Sequence, residues 1–503
     1  MSNLYVNIDS NSTLMPFLNK IAQKETVHPE DLHTFVDSYA GTRVTDVLFC
    51  VFCQYSNVET AFWSTYADKY LQKEENGIAV DYTPQYQALY RLNKEYDIEP
   101  YGVFIDRCRA IGVRPWLSVR MNDCHDPRTE TSFLRSDFFY EAEKKGWKLG
   151  APYAHHMCYD YAAVEVRRRM LGYIAEQLEK YDVDGLELDF MREITCFRYA
   201  DGKTGEYTAV MNEFIREVRA LTDRAAAKYG HPVRLGVRLM RSLEQSRYFG
   251  FDAEAWAAAG LVDMVNPTPR FARSDSGIPV AAWKAALPGV EIAAGLETLA
   301  EAFTLDRPCF MSAELARGHA AAFLSGGADS IYLFNYFHTT SSEADDELLP
   351  GGELARDQVL YRTCGTPEEL YSHPLRFAVI PQDDHVSGLP AIWKPLPLQL
   401  NAQPQQLELR TGRLPAGKKL SLILGFAEGG PDSCTVTLNG IPCTGFAPVD
   451  MTKLPGMPQQ PVNHTAPADG FWRCEVLDAC SGEVQTVALY GAGRLVWCEL
   501  TAV

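Results

Sequence analysis

Residues 183–190 read Val-Asp-Gly-Leu-Glu-Leu-Asp-Phe, a short apolar run with carboxylates two residues apart at Glu187 and Asp189. Side chains of a β-strand alternate between its two faces, so these two carboxylates point the same way. The preceding residues 164–181 place apolar side chains at helical spacing on one face and Arg and Glu on the other. A helix that leads into such a strand predicts one unit of an α/β fold.

Seven further runs of this kind occur along the first 340 residues, and all eight are rich in apolar and β-branched residues. Parallel strands that are buried on both faces have this near-continuous apolar character. The eight predicted strands are Leu4–Asp9, Val44–Phe52, Val113–Met121, Val183–Phe190, Val233–Met240, Val262–Thr268, Val290–Glu297 and Ser330–Phe337.

Segments of helical period separate these strands. The clearest are Pro29–Tyr39, Val164–Tyr181, Tyr207–Tyr229 and Ser312–Ser325. Strand and helix that alternate eight times predict a (β/α)8 TIM barrel. A last helix over 354–371 completes the predicted barrel domain, which we expect to span residues 1–374.

Residues 375–503 have a different sequence pattern. Short strand-like runs, separated by Gly, Pro and Asn, replace the long helical segments, and Asn439-Gly440 is a strong hairpin signal. This pattern predicts an antiparallel β-sandwich of the jelly-roll kind as a C-terminal accessory domain.

The charge and composition exclude several classes of partner. A formal net charge of −18 disfavours nucleic acid and anionic membranes, which attract clustered Lys and Arg. No apolar run is long enough for a membrane span, and no leader segment is visible, so we expect a cytoplasmic protein. We expect its thirteen cysteines to be reduced, with Cys50 and Cys53 on opposite faces of a strand. The oligomeric state stays open, and a homo-oligomer is compatible with the sequence.

Functional groups of such a barrel lie at the carboxyl ends of its strands. Nearly every predicted strand end carries a carboxylate, amide, guanidinium or imidazole, and aromatic residues accompany them. Such a rim suits a sugar, whose hydroxyls bind polar groups and whose ring faces pack on aromatic rings. The predicted substrate-binding residues are Asp9, Arg120, Asn122, Asp123, His125, Glu187, Arg192, Arg238, Asn266, Asn335, Tyr336 and Trp63.

Two carboxylates at strand ends form the predicted catalytic pair, Asp189 and Glu297. Hydrolysis of a glycosidic bond needs one carboxyl group to protonate the leaving oxygen and another to attack or to activate water. The small residues before Glu297 predict open space beside it, and Asp189 is expected to have Arg192 or Arg120 as its partner. We expect Glu187, one layer deeper, to belong to a structural ion-pair layer. His155 and His156 lack further ligands at metal spacing, so we predict neither a metal nor another cofactor.

Several motifs resemble a known family. The run Tyr181–Arg192 (YDVDGLELDFMR), with Arg120–Asp123, Asp263–Pro267 and Gly327–Tyr336, resembles bacterial barrel proteins classed as family-ten-like glycosyl hydrolases. The resemblance covers the whole barrel and implies a glycosidase. The leading interpretation is an exo-acting enzyme that trims oligosaccharides or glycoconjugates.

More distantly, the barrel is similar to the large retaining clan of glycosidases. By position this resemblance implies that Asp189 is the acid/base, that Glu297 is the nucleophile and that configuration is retained. The chain lacks that clan's Asn-Glu dipeptide on strand four, and its spacing also resembles barrels whose strand-four Asp is the nucleophile. The chain does not have a chitinase pattern, because the residue two after Asp189 is Met191, where that pattern has Glu.

Two other functions stay open. One is a barrel that binds carbohydrate without turning it over, which the two opposed carboxylates disfavour. The other is a barrel lyase or aldolase, for which a Schiff-base lysine or a metal triad is expected at a strand end. No predicted strand end carries a lysine.

Overall fold

The structure is a computed structural model. It describes residues 2–9, 26–70, 74–75, 78–79, 84–124, 135–151, 157–199, 201–269, 274–297, 299–300, 309–334, 356–379, 395–449, 470–476 and 482–503.

Eight parallel strands close into a barrel, each hydrogen-bonded to its neighbours in chain order and the first paired with the last. They are β1 (Asn3–Ile8), β2 (Asp46–Phe52), β3 (Arg114–Arg120), β4 (Gly185–Asp189), β5 (Arg234–Leu239), β6 (Met264–Pro267), β7 (Glu291–Glu297) and β8 (Ser330–Phe334). All eight coincide with predicted runs, and the predicted TIM barrel is confirmed.

Helices surround the barrel, and the loops contain two short hairpins. The helix that leads into β4 buries Val166, Met170, Ile174 and Leu178, as its sequence period predicts. The helices are Pro29–Leu32 (3-10), His33–Asp37, Tyr66–Tyr70, Pro84–Lys94, Pro100–Ala110, Asp137–Lys145, Val164–Lys180, Thr204–Tyr229, Leu243–Tyr248, Ala253–Ala258, Val280–Ala286, Ala313–Ser325, Arg356–Thr363 and Pro367–Tyr371. The short strands Glu74–Glu75 and Ile78–Ala79 form one hairpin, and Leu299–Ala300 pairs with Cys309–Phe310.

The last predicted helix is two helices, which corrects the prediction over 354–371. The Thr366 hydroxyl accepts a hydrogen bond from the backbone N–H of Glu369 and caps the second helix. Pro367 occupies its first position, where the missing N–H costs nothing. A cap and a proline in succession therefore begin a new helix inside a segment that reads as continuous by its apolar period.

The amino-terminal end of the barrel is filled by charged and aromatic side chains. Arg114 donates to Asp46 at 2.6–2.7 Å, and Arg234 donates to Glu291 at 2.7 Å. Above these ion pairs lies an apolar layer formed by Tyr5, Leu48, Trp116, Met264, Ala293, Tyr332 and Phe334. A packed interior of this kind leaves the carboxyl end as the place where a ligand can reach inward-pointing side chains.

The carboxy-terminal domain consists of two antiparallel sheets. In one, Leu375–Val379, Arg494–Ala502, Leu420–Glu428, Gly470–Val476 and Ala447–Pro448 follow one another, and Leu398–Gln399 also pairs with Arg494–Ala502. In the other, the order is Gln405–Arg410, Val484–Gly491, Cys434–Leu438 and Ile441–Pro442. Leucines and valines from both sheets share one apolar core, which confirms the predicted β-sandwich.

The sandwich packs directly against the barrel. Phe377 and Trp497 belong to the same apolar core as the barrel helices. A Cβ at Gly318, on the helix Ala313–Ser325, would lie 1.9 Å from the carbonyl oxygen of Arg376, so only glycine permits this close approach. Nearby, the Tyr371 hydroxyl donates to the carbonyl oxygen of Thr411 at 2.7 Å.

Across the described part of the chain, none of the helices combines the length and the apolar character that crossing a membrane requires.

Candidate active site

Four polar residues lie side by side on neighbouring strands near the carboxyl end of the barrel. Arg120 on β3, Asp189 on β4, Arg238 on β5 and Asn266 on β6 are successive register partners. Register partners on adjacent strands point to the same face, so all four project into the barrel. All four are buried. The strand pairing therefore assembles four predicted site residues into one layer.

Asp189 is paired with Arg238, which lies beside it on β5. Nη1 of Arg238 donates to both Asp189 carboxylate oxygens at 3.2–3.3 Å, and the Met191 backbone N–H donates to Oδ1 at 2.8 Å. The expectation that Arg192 or Arg120 accompanies Asp189 is wrong. The register places both Arg120 and Arg238 beside Asp189, but Arg120 donates to Asp9 and Asp123, and Arg192 also pairs with Asp123. The guanidinium that donates to Asp189 is that of Arg238.

The charge of the second predicted carboxylate, Glu297, also reaches Arg238. The guanidinium carbon of Arg238 lies 3.5 Å from the ring centroid of Phe334. Although burial lowers the pKa of Arg238, the charges of Asp189, Tyr332 and Glu297 outweigh it, and the pKa is raised. Glu297 ends β7 and is buried, and its backbone N–H donates to the Ser274 hydroxyl at 2.8 Å. The two carboxylates therefore act on one buried guanidinium.

Glu187 lies one layer deeper and accepts hydrogen bonds from four neutral side chains. Asn7, Ser118 and Tyr332 donate to Oε2 at 2.7–3.0 Å, and Asn266 donates to Oε1 at 3.3 Å. Burial and the nearby charge of Asp189 raise the pKa of Glu187 to about 7. This arrangement replaces the expected ion-pair layer, because the Arg238 guanidinium is hydrogen-bonded to Asp189 instead.

A second polar network surrounds Arg120. Its guanidinium donates to Asp9 at 2.8 Å and to Asp123 at 3.1 Å. Gln54 also donates to Asp123 at 3.3 Å, and Arg192 lies 3.7 Å from it. The structure thus brings together four predicted substrate-binding residues, Asp9, Arg120, Asp123 and Arg192, from the ends of β1, β3 and β4.

Asn122 and Trp63 occupy framework positions. The Asn122 amide donates to the carbonyl oxygens of Tyr159 and Thr195 at 2.8–2.9 Å and accepts from the Tyr159 N–H at 2.9 Å. Trp63 is buried among aromatic rings, with Phe52 and Phe138 at centroid distances of 4.6 and 4.9 Å. Both side chains are engaged in holding loops and helices together, and their role in binding a ligand stays a prediction.

Two expectations about the barrel end are wrong. A Cβ at Gly295 would lie 2.2 Å from the Thr268 hydroxyl, so Thr268 fills the space that the small residues before Glu297 suggested. The strand pairing shifts register between Cys50 and Phe52, and β2 ends at Phe52, so Cys53 lies beyond the strand. The Cys50 thiol donates to the Phe52 carbonyl oxygen at 3.3 Å, and the Cys53 sulfur lies 3.2 Å from the Tyr66 hydroxyl. The neighbouring Cys50 thiol lowers the pKa of Cys53 to about 7.

Three predicted residues, His125, Asn335 and Tyr336, lie outside the described residues. Inward-pointing residues one step deeper, among them Asn7, Ser118 and Tyr332, also belong to the site and were not predicted from the strand ends. Each lies on the inward-pointing alternation of its strand, so extending the period of two below the strand end would have found them. In the described residues, no three His, Cys, Asp or Glu side chains are grouped so as to hold a metal ion.

Comparison with known proteins gave structural likenesses only. No family model and no curated protein matches the chain. It is similar to the chitinase ChiW from Paenibacillus sp. str. FPU-7, with 9% identity, 98% of this chain covered and a TM-score of 0.40. The chain spans about half of ChiW, 53% of its length.

Two further structures have similar scores. A family GH18 chitinase from Chromobacterium violaceum is 11% identical, over 100% of this chain and 88% of that one, with a TM-score of 0.38. A bacterial fucosidase is 10% identical, over 97% and 94%, with a TM-score of 0.35. Likenesses at this level establish neither family nor activity, and the resemblance to family-ten-like glycosyl hydrolases stays one of motifs.

Proposed function

We propose that the protein is a glycoside hydrolase that cleaves O-glycosidic bonds of oligosaccharides or glycoconjugates, with Asp189 and Glu297 as its two carboxylates. The observation that carries the proposal is their shared position. Both are buried near the carboxyl end of a TIM barrel, on β4 and β7, and both act on Arg238. Glycoside hydrolysis requires two carboxyl groups, and the active sites of TIM barrels lie at the carboxyl ends of the strands.

The surroundings of the pair suit a sugar. Asp9, Arg120 and Asp123 offer carboxylate oxygens and guanidinium N–H groups, which are suitable partners for hydroxyls. Arg238 is fixed against the Phe334 ring, so it cannot easily swing away from the carboxylates. Arg238 thereby holds the Asp189 carboxylate in place, and a fixed, buried negative charge stabilises a developing oxocarbenium charge more strongly than a carboxylate in bulk solvent does.

The hydrogen bonds around Asp189 favour one assignment of roles. The Arg238 guanidinium and the Met191 N–H both donate to it, which is the environment of an ionised carboxylate. An ionised carboxylate suits the nucleophile or the base, and Glu297 then supplies the proton to the leaving group. This order is the reverse of the one that the distant resemblance implies, and it agrees with the alternative of a nucleophilic strand-four Asp.

We further propose that the reaction retains configuration. Asp189 attacks the anomeric carbon while the glycosidic bond breaks and Glu297 protonates the leaving oxygen. In the second step Glu297 takes a proton from water, the water oxygen bonds to the anomeric carbon, and the ester to Asp189 breaks. Proton NMR of the first-formed product checks this, and an initial product of inverted configuration contradicts it.

A panel of chromogenic glycosides of both anomers, in several sugar types, tests the proposal. We expect release of the chromophore from a small subset, and release of monosaccharide from one end of an oligosaccharide if the action is exo. Binding of sugars without turnover of any panel member, in the glycosides and in natural oligosaccharides, would identify a binding protein instead. An unsaturated product would identify a lyase.

A further inference from the structure

Two cysteine thiols meet beside the candidate site. Cys124 directly follows Asp123, and Cys158 directly precedes Tyr159. Their sulfur atoms lie 2.9 Å apart. Both side chains are buried, with 9% of Cys124 and none of Cys158 exposed, and they form a small apolar cluster with Leu149.

The backbone on both sides holds these thiols in place. The amide of Asn122, two residues before Cys124, bonds to both the N–H and the carbonyl oxygen of Tyr159. On the other side, the Leu149 N–H donates to the carbonyl oxygen of Cys158 at 3.0 Å. These hydrogen bonds hold the backbone of both chain segments within two residues of the sulfurs. The fold therefore places the two cysteines next to each other.

We propose that Cys124 and Cys158 form a disulfide when the protein meets a low-molecular-weight disulfide such as glutathione disulfide. A covalent S–S bond is about 2.05 Å long, so the two sulfurs need to approach by less than about 1 Å. The bond closes residues 124–158 into a covalent loop. It also anchors the segment that carries Asp123, and with it the polar network of Arg120, to the segment that leads into the helix Val164–Lys180.

The reaction proceeds by two exchanges. The more exposed Cys124 loses its proton and attacks one sulfur of glutathione disulfide, which releases one glutathione thiolate and leaves a mixed disulfide. Cys158 then loses its proton and attacks the Cys124 sulfur, which releases the second glutathione. The two cysteines give up two protons and two electrons, and the electrons reduce the oxidant to two thiols. Their mutual hydrogen bond and burial raise the pKa of Cys124, and burial raises the pKa of Cys158, so the exchange is faster in alkaline buffer.

Peptide mapping of the full-length native protein tests this. The protein is incubated with glutathione disulfide or with a phosphine reductant at alkaline pH, then denatured, alkylated and digested without reduction. We expect a peptide pair linked through Cys124 and Cys158 only after oxidation, with the linked mass about 2 Da below the sum of the free peptides. Cys108, which is equally buried on the helix Pro100–Ala110, serves as the control and should be alkylated in both samples.

The variant Cys124→Ser distinguishes this linkage from others. In it we expect Cys158 to be alkylated after oxidation, even though Cys196 lies near it and the Asn122 amide. Full alkylation of both cysteines in the oxidised wild-type protein would overturn the proposal. A wild-type linkage of Cys158 to Cys196, or cross-linking of Cys108, would overturn it as well, because either shows that oxidation captures a contact other than the one between Cys124 and Cys158.

Discussion

Replacement of Glu187 by Gln tests the buried polar layer below Asp189. Glu187 is fully buried, it accepts hydrogen bonds from four neutral side chains, and its pKa is raised from 4.5 to about 7. A Gln side chain can keep this arrangement. Its oxygen accepts from Asn7, Ser118 and Tyr332. The Asn266 amide, whose Nδ2 donates to Oε1 in the wild type, turns over so that its Oδ1, which accepts no hydrogen bond from the described residues, accepts from the Gln NH2.

The raised pKa fixes the sign and the size of the effect. The folded protein binds the Glu187 proton more tightly than the unfolded chain, so the free energy of unfolding falls as the pH rises from 4.5 to about 7. Each pKa unit between the unfolded and the folded value corresponds to about 1.4 kcal/mol. The shift from 4.5 to about 7 therefore lowers the free energy of unfolding by about 3 kcal/mol in total. Above pH 7 the free energy of unfolding of the wild type is lowered by this full amount, whereas that of Glu187→Gln is not.

Urea denaturation of both proteins at several pH values between 4.5 and 8 measures the effect. We expect the variant to gain about 3 kcal/mol relative to the wild type across this range. Glu291→Gln is the matched control. Burial alone would raise the pKa of Glu291, but hydrogen bonds from Ser330 and Asn3 and the ion pair with Arg234 lower it below 4.5. Its ionised form therefore stabilises the fold throughout this range, and Glu291→Gln should be less stable than the wild type by an amount that hardly changes between pH 4.5 and 8. A difference between Glu187→Gln and wild type that does not change with pH would refute the reasoning.

Three further predictions concern the framework. Residues 1–374 expressed alone should aggregate or melt without cooperativity, because Phe377 and Trp497 belong to the barrel's apolar core, and a soluble, cooperative and fully active fragment would contradict this. Arg376→Met should cost about 3–5 kcal/mol of unfolding free energy in urea, since it leaves Glu499 buried without its guanidinium, whereas a cost below about 1 kcal/mol would exclude that role. Asn122→Ala should lower stability by about 1–3 kcal/mol in the same assay with KM unchanged, and a raised KM at unchanged stability would instead make Asn122 a ligand contact.

Most of the barrel could be predicted from local patterns. Each strand is an apolar run, and period and composition are properties of a few neighbouring residues. The division of the last helix depended on capping by Thr366, which is also local but was hidden by a continuous apolar period. Strand ends likewise indicated Asp189, Arg238 and Glu297 as inward-pointing residues, because the period of two extends along each strand.

The pairings inside the site could not be predicted in the same way. Asp189 has an arginine beside it on each neighbouring strand, Arg120 on β3 and Arg238 on β5, and Arg120 pairs with Asp9 and Asp123 from other strand ends. Which arginine pairs with Asp189 therefore depends on the whole barrel and not on either strand. The shift in strand pairing between Cys50 and Phe52 breaks the simple alternation at the end of β2, so the facing of Cys50 and Cys53 could not be read from their spacing. Thr268 fills the space beside Gly295 from a neighbouring strand. Each of these features is a contact between strands that are distant in sequence.

The turnover of Asp189→Asn and of Glu297→Gln, on the best glycoside of the panel, tests the central claim most directly. The same type of substitution at the other end of the barrel, Asp46→Asn, is the control. We expect each of the first two variants to lose at least about 10³-fold in kcat while it stays folded and binds the sugar, and the control to keep its turnover. Near-normal turnover of a folded Asp189→Asn or Glu297→Gln protein would contradict the claim and remove that residue from the catalytic pair.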